Sequence, residues 1–186
     1  MNKLKELTEY KGIKLTECKT SVQIDALPEK VWEALSQYGN VSNFHFGVEH
    51  SVARDDGKNK ACLGAVRTCT VRDMGMKITL VERIIEYKEG QYYRYEVFEW
   101  KNFPLKVMFF AFSLKENPDG YTTLTLIQNY RLNPGFITGL MKWKIKALQR
   151  QILLGYKHYI ETGEGNCTQE EILQKSAYQN VVFTTQ

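Results

Sequence analysis

The residue types best suited to chemistry in this chain are His45, Glu82, Tyr95 and Arg67. An imidazole titrates near neutrality, so His45 could exchange a proton with Glu82 or Tyr95 as a general acid or base. A lone histidine is more often a surface or capping residue, and that plainer role stands beside the catalytic one. Alternation along residues 78–87 puts Ile78, Leu80, Glu82, Ile84 and Glu86 on one face of a strand, with Thr79, Val81, Arg83, Ile85 and Tyr87 on the other. On residues 92–100, Tyr93, Tyr95, Val97 and Glu99 share a face. If Arg67, Glu82 and Tyr95 converge inside, they form a polar cluster that could orient the polar end of a ligand, because a buried charge persists only when paired and hydrogen-bonded. Otherwise Arg67 and Glu82 are a structural or outward-facing pair.

Other chemistries lack their residues. His45, His50 and His158 show no His-x-x-x-His spacing, and Cys18, Cys62, Cys69 and Cys167 form no Cys-x-x-Cys pair, so no metal site is expected. No phosphate loop or nucleotide fingerprint occurs, and no cofactor is expected. Gly-x-Ser-x-Gly is missing too, which removes one hydrolase signature but not every serine-dependent mechanism.

The segment Val107-Met108-Phe109-Phe110-Ala111-Phe112 is apolar on both faces. A strand covered on both sides in an otherwise half-exposed sheet needs a reason. One face could meet a core or cavity while the C-terminal extension or a second subunit covers the other; an ordinary covered core strand is the alternative. Candidate pocket-wall residues are Phe109, Phe112, Tyr95, Tyr130, Met141, Trp143 and Ile145, although most of these could simply be core.

These side chains need elements to hold them. Residues 14–24 read as a strand with Leu15, Val22 and Ile24 on one face and an irregularity between. Pro28 suits a helix's first turn, with Glu29 near its positive end and Val31, Trp32 and Leu35 at helical spacing. Gly39-Asn40 stops that helix, and Val41 to Phe44 make one further helical turn. Six strands follow, over residues 48–54, 65–72, 78–87, 92–100, 106–114 and 122–132. The breaks at 55–59, 73–75, 88–90, 101–104 and 117–120 carry the Gly, Pro, Asn and Asp of hairpin loops, which implies an antiparallel meander.

A long amphipathic helix is expected over residues 134–161. Ile137, Met141, Ile145, Leu148, Ile152 and Tyr159 form its apolar stripe, which Phe136, Leu140, Trp143, Ala147 and Leu154 make too broad to face water. Gly163 ends it. Thr168 and Glu171 have capping-box spacing, predicting a short helix over 169–177, and the apolar Val181-Val182-Phe183 could dock on the body or on a neighbouring chain.

With 186 residues, 43% of them hydrophobic and 25% charged, the chain suits one folded α+β domain over 14–163, flanked by a leader (1–13) and an extension (164–186). Twenty-three aromatic residues exceed the needs of an average core and suit an apolar pocket, or a Tyr-rich sheet. The formal charge is +4, and its one cluster, Lys142, Lys144, Lys146 and Arg150, reads as a solvated face, although such a helix could also touch anionic lipid. No nucleic-acid partner is expected, since a basic groove beside stacking rings is not evident. The unpaired cysteines and the charged segment 1–10 point to a reducing, cytoplasmic compartment. No run approaches the ~18 apolar residues of a spanning helix, so integral membrane association is not expected and peripheral contact stays open.

The order strand, two short helices, six-stranded meander and long helix resembles the helix-grip fold of the SRPBCC superfamily, which includes START lipid-transfer domains, birch-pollen-allergen-like proteins and polyketide cyclase/dehydrase-like proteins. Ile24-Asp25-Ala26-Leu27-Pro28-Glu29-Lys30-Val31-Trp32 is similar to the opening of the last group. Gly64-Ala65-Val66-Arg67, Leu80-Val81-Glu82-Arg83 and Tyr93-Arg94-Tyr95-Glu96-Val97 resemble its Gly-x-x-Arg, Leu-x-Glu and Tyr-x-Val positions. The resemblance covers residues 16–163. It implies a curved antiparallel sheet around the long helix, a hydrophobic cavity between them, and a cavity entrance near His45. It does not imply one reaction.

Three functions compete. The leading one is binding or transport of a hydrophobic small molecule such as a lipid, isoprenoid or polyketide-like compound, with Arg67, Glu82, Tyr95, Phe109, Phe112, Tyr130, Met141, Trp143 and Ile145 at the site. The second is a cyclase, dehydratase or isomerase using His45, Glu82 or Tyr95. The third is a protein-interaction module working through the outer sheet face or the tail, with a homodimer left open.

Overall fold

The computed structural model describes residues 4–54, 59–73 and 75–186. The turn expected at 55–59 lies outside the described residues except for Asn59, as does Met74 of the turn at 73–75. Eight strands form one antiparallel sheet in the order β10-β3-β9-β8-β7-β6-β5-β4. They are β3 (Thr16–Ile24), β4 (Val48–Ala53), β5 (Val66–Asp73), β6 (Met76–Lys88), β7 (Tyr92–Lys101), β8 (Leu105–Glu116), β9 (Thr122–Leu132) and β10 (Phe183–Thr185). A small hairpin, β1 (Glu9–Tyr10) and β2 (Ile13–Lys14), precedes them. Helix α1 (Pro28–Ser36) starts on its proline and buries Val31, Trp32, Ala34 and Leu35; a 3-10 helix (Tyr38–Asn43) follows. This is the helix-grip architecture that the strand and helix order predicts, an α+β fold.

The long helix departs from expectation at its start. It is split into a single turn, α2 (Ile137–Leu140), and α3 (Lys142–Thr162), with Met141 between them at ψ −3°, well off the value of about −42° in a regular helix. The first turn is anchored elsewhere: Thr138 Oγ1 accepts from the backbone N–H of Leu132 at 3.1 Å, and Tyr130 Oη donates to the Thr138 carbonyl at 3.3 Å. Gly139 weakens helical continuity there by about 1 kcal/mol relative to alanine. Phe136, Leu140 and Trp143 face water, correcting the reading that they widen a buried stripe: at about 100° per residue Leu140 and Trp143 fall on the side of the helix away from Met141 and Ile145. From Ile145 onward Leu148, Ile152 and Tyr159 pack on the core as read, but Ala147 is exposed and Leu154 is buried against the C-terminal extension; Gly163 caps α3 at φ 79°. Gln149 fixes α3 to β3, accepting from Thr20 Oγ1 at 2.7 Å and donating to the Cys18 carbonyl at 2.9 Å. Cys18 and Thr20 thus fill the inward face that the sequence reading left irregular.

Both flanking segments pack on this body. Tyr10 places its ring 4.9 Å from that of Phe109, and Arg94 donates to the Lys5 carbonyl, so the leader covers the outer face of β7 and β8. The extension covers a different place. Helices α4 (Gln169–Gln174), begun by the Thr168–Glu171 capping box, and α5 (Ser176–Gln179) bury Ile172 and Tyr178 against Leu154, and β10 pairs with β3. Lys175 takes an extended conformation and divides the helix expected over 169–177 into these two pieces.

Candidate functional site

The site is assembled by cross-strand register. Arg67 on β5 stands opposite Glu82 on β6, and Ile84 opposite Tyr95 on β7. Alternation alone would put Glu86 on the same face as Glu82. The irregularity between Ile84 and Glu86 reverses the parity: Glu86 faces outward to pair with Arg94, and Tyr87 packs on the core. Arg67, Glu82 and Tyr95 therefore do converge, and all three are buried.

Arg67 is held on every side. Its Nε donates to Glu82 Oε2 at 2.5 Å and its Nη1 to the Tyr38 carbonyl at 3.0 Å. The guanidinium lies 4.1 Å from the centre of the Tyr38 ring and 4.8 Å from that of Tyr95, a double cation–π contact. Glu82 also receives a weak bond from Cys69 Sγ at 3.7 Å. Burial opposes the Arg67 charge, but Glu82 together with Cys69, Tyr38 and Tyr95 outweighs it, and the pKa rises well above its ordinary value. Breaking such a pair from one side leaves an uncompensated charge, at a cost of about 3–5 kcal/mol.

This cluster forms one end of a cavity of about 340 Å³ between the sheet and α3. Leu80, Cys69, Met108 and Phe110 supply the sheet wall, and Met141, Ile145, Leu148 and Ile152 the helix wall. Val41, His45 and Val48 close the side formed by the 3-10 helix and the loop after it. Gln128, almost fully buried, is the amide in the sheet wall: its Nε2 donates weakly to Met108 Sδ at 3.6 Å, and its Oε1 meets no donor among the described residues. The other end of the space between sheet and helix is solid with rings. Phe112 lies 5.7 Å from Tyr93 and 5.2 Å from Tyr156, and Trp32 and Phe44 extend the cluster.

Burial, then Arg67, lowers the pKa of His45 to about 4, so the imidazole is neutral at ordinary pH; its Nδ1 accepts from Gly47 N–H at 3.1 Å, leaving Nε2 protonated. Burial, then Glu82, raises Tyr95 well above the usual phenol range, and the same two causes push Cys69 up to about 12.

Of the residues singled out by sequence, His45, Arg67, Glu82, Tyr95, Met141 and Ile145 line the cavity. Four do not. Phe109 points to the outer face, where Tyr10 of the leader, and not the C-terminal extension, packs on it. Phe112 belongs to the packed ring cluster, Tyr130 on β9 braces α2, and Trp143 is 72% exposed because it stands about 200° around α3 from the cavity-facing Ile145. Gln128 and Cys69 were missed, though a signal existed. Gln128 interrupts the inward apolar series Leu124, Leu126, Tyr130 and Leu132, and Cys69 lies two residues from Arg67 on the same face.

Away from the cavity, His158, Glu164 and Cys167 bring a ring nitrogen, a carboxylate oxygen and a thiol within 4.8 Å of one another. Sequence spacing did not reveal this group, because the chain doubles back after Gly163. Lys175 is ion-paired with the same Glu164 carboxylate, so an ammonium already supplies positive charge there.

A family model described as polyketide cyclase/dehydrase and lipid transport matches residues 16–161. Among solved structures, Ara h 8.0201 aligns at 14% identity with TM-score 0.63, and the protein TTHA0849 from Thermus thermophilus at 17% with TM-score 0.63; each alignment covers 78% of this chain and 97% of the other. A START superfamily protein from Mycobacterium smegmatis aligns at 11% identity with TM-score 0.65, covering 78% of this chain and 98% of its own. No curated protein matches the chain in sequence at a significant level.

Proposed function

Since the chain belongs to the polyketide cyclase/dehydrase and lipid transport family, whose members typically bind hydrophobic ligands, we propose that it binds or carries a small apolar molecule of lipid, isoprenoid or polyketide-like type in the cavity beneath α3. The observation that carries this reading is the cavity itself. Its volume falls within the roughly 300–1,000 Å³ of small-molecule pockets, and its walls are mainly apolar, with Arg67, Glu82 and Gln128 as buried polar groups and Arg72, Lys144 and Gln151 toward solvent. Gln128 Oε1 would accept a hydrogen bond from a ligand hydroxyl, satisfying a buried acceptor that meets no donor among the described residues. The four cysteines are free thiols, in keeping with a reducing, cytoplasmic setting.

Binding is favoured over acid–base catalysis by the titration of the cavity groups. A general acid or base works best with a pKa near the working pH. His45 is displaced to about 4, Cys69 to about 12 and Tyr95 well upward. Glu82 is committed to Arg67.

Displacement of an environment-sensitive apolar dye, with native mass spectrometry of mildly purified protein, tests the proposal. Wild type should take up the dye, and Leu148→Trp, which fills the helix wall, should weaken uptake by at least about tenfold while the protein stays folded. Absence of both dye uptake and a co-purifying ligand in wild type would sink it.

A further inference from the structure

Helical hydrogen bonds from Met141 N–H to the Ile137 carbonyl and from Ile145 N–H to the Met141 carbonyl carry the chain from α2 into α3, and the outer side of these turns holds side chains that the cavity does not use. Phe136, Leu140 and Trp143 are 73%, 67% and 72% exposed, and their spacing of four and three residues places them in one stripe across α2 and the start of α3. Three large apolar groups this exposed and this close together are a patch of the kind that marks an interaction site. The stretch of chain that carries them has charges of one sign. Between Asp119 and Glu161 the sequence has no Asp or Glu, while Arg131, Lys142, Lys144, Lys146, Arg150 and Lys157 contribute six cations. Lys142 and Arg150 are exposed and Lys146 is half-buried. The same helical turns present Met141 and Ile145 to the cavity, so the patch is the outer side of the cavity's helix wall.

We propose that Phe136, Leu140 and Trp143, flanked by Lys142 and Lys146, form a docking surface for an anionic lipid bilayer. Trp, Phe and Leu on one side of a short helix enter the boundary between headgroups and acyl chains, and neighbouring lysines are drawn to anionic headgroups. The charge selects this occupant. A symmetric dimer through the patch would bring like cationic surfaces together. An anionic membrane supplies both the apolar layer and the opposite charge. Among the described residues no helix is long and apolar enough to cross a membrane, so the contact is peripheral. Docking here would hold the helix wall of the cavity against the bilayer, and it stands on these surface residues whether or not the cavity is occupied.

Sedimentation of the full chain with phosphatidylcholine vesicles, with and without phosphatidylglycerol, tests the surface. Wild type should bind the anionic vesicles, more weakly as salt rises, and brominated lipid should quench its fluorescence more than that of Trp143→Phe. The double variant Leu140→Ala/Trp143→Ala should lose at least about tenfold in vesicle affinity, and Lys142→Glu/Lys146→Glu should lose the preference for phosphatidylglycerol. Both should keep wild-type dye uptake in vesicle-free solution, which separates this result from failure of the cavity reading. Wild type that ignores anionic vesicles, or variants that bind them as well as wild type, would overturn the proposal. So would a fall in mass by light scattering in the apolar variant, which would make the patch a contact between copies.

Discussion

His45 shows how a single side chain in this cavity is governed by its surroundings. Its pKa of about 4 stands below the ordinary 6.5 because burial and Arg67 both disfavour the imidazolium. Above about pH 6.5 the residue is neutral in folded and unfolded chains alike. As pH falls from there to about 4, the unfolded chain takes up a proton that the folded chain refuses, so stability declines by up to about 3 kcal/mol and this contribution then levels off. Urea unfolding across that range should show the slope, and His45→Gln should flatten it. The pairing of Arg67 with Glu82 was legible as a candidate from strand alternation, since each residue occupies an inward position on its strand. The stacking of Arg67 between Tyr38 and Tyr95 was not, because Tyr38 arrives from a helix far away in sequence.

At the scale of elements, the position of the loop that carries His45 depends on a glycine in α3. A Cβ on Gly155 would lie 1.9 Å from the backbone oxygen of Phe44 and 3.3 Å from the Phe46 ring. Backbone cannot yield as a flexible side chain does, so the segment after the 3-10 helix would have to move. Gly155→Ala would gain about 1 kcal/mol of helix propensity. The clash should outweigh that gain, leaving the protein less stable by about 1–3 kcal/mol and weakening dye uptake as the His45 loop shifts. A urea midpoint and a dye titration on the same preparation check both effects. The existence of α3 was legible from its apolar period and its C-terminal glycine. Its interruption at Met141 was not, because the hydrogen bonds holding α2 come from Tyr130 and Leu132 on β9.

For the molecule as a whole, the segments outside the sheet-and-helix body complete its surfaces. Removal of residues 164–186 would uncover Leu154 and His158 and strip β10 from β3, leaving a sheet edge with unpaired backbone groups. Such a protein should lose at least about 3 kcal/mol of stability, from the burial of Ile172 and Tyr178 alone. It should also gain mass by light scattering as the bared edge associates; a monomer of unchanged stability would refute this. The sequence by itself determined the order of strands and helices, their turns and the apolar faces, because those signals are periodic and local. Only the tertiary structure decided which face of β8 looks into the cavity, where the parity of β6 reverses, and which rings pack and which line open space. Those outcomes depend on register shifts and on distant segments folding back. Of the long helix's apolar residues, the stripe of Ile145, Leu148 and Ile152 and the outward place of Trp143, about 200° from Ile145, follow from spacing, whereas the burial of Leu154 depends on the C-terminal extension folding back over it.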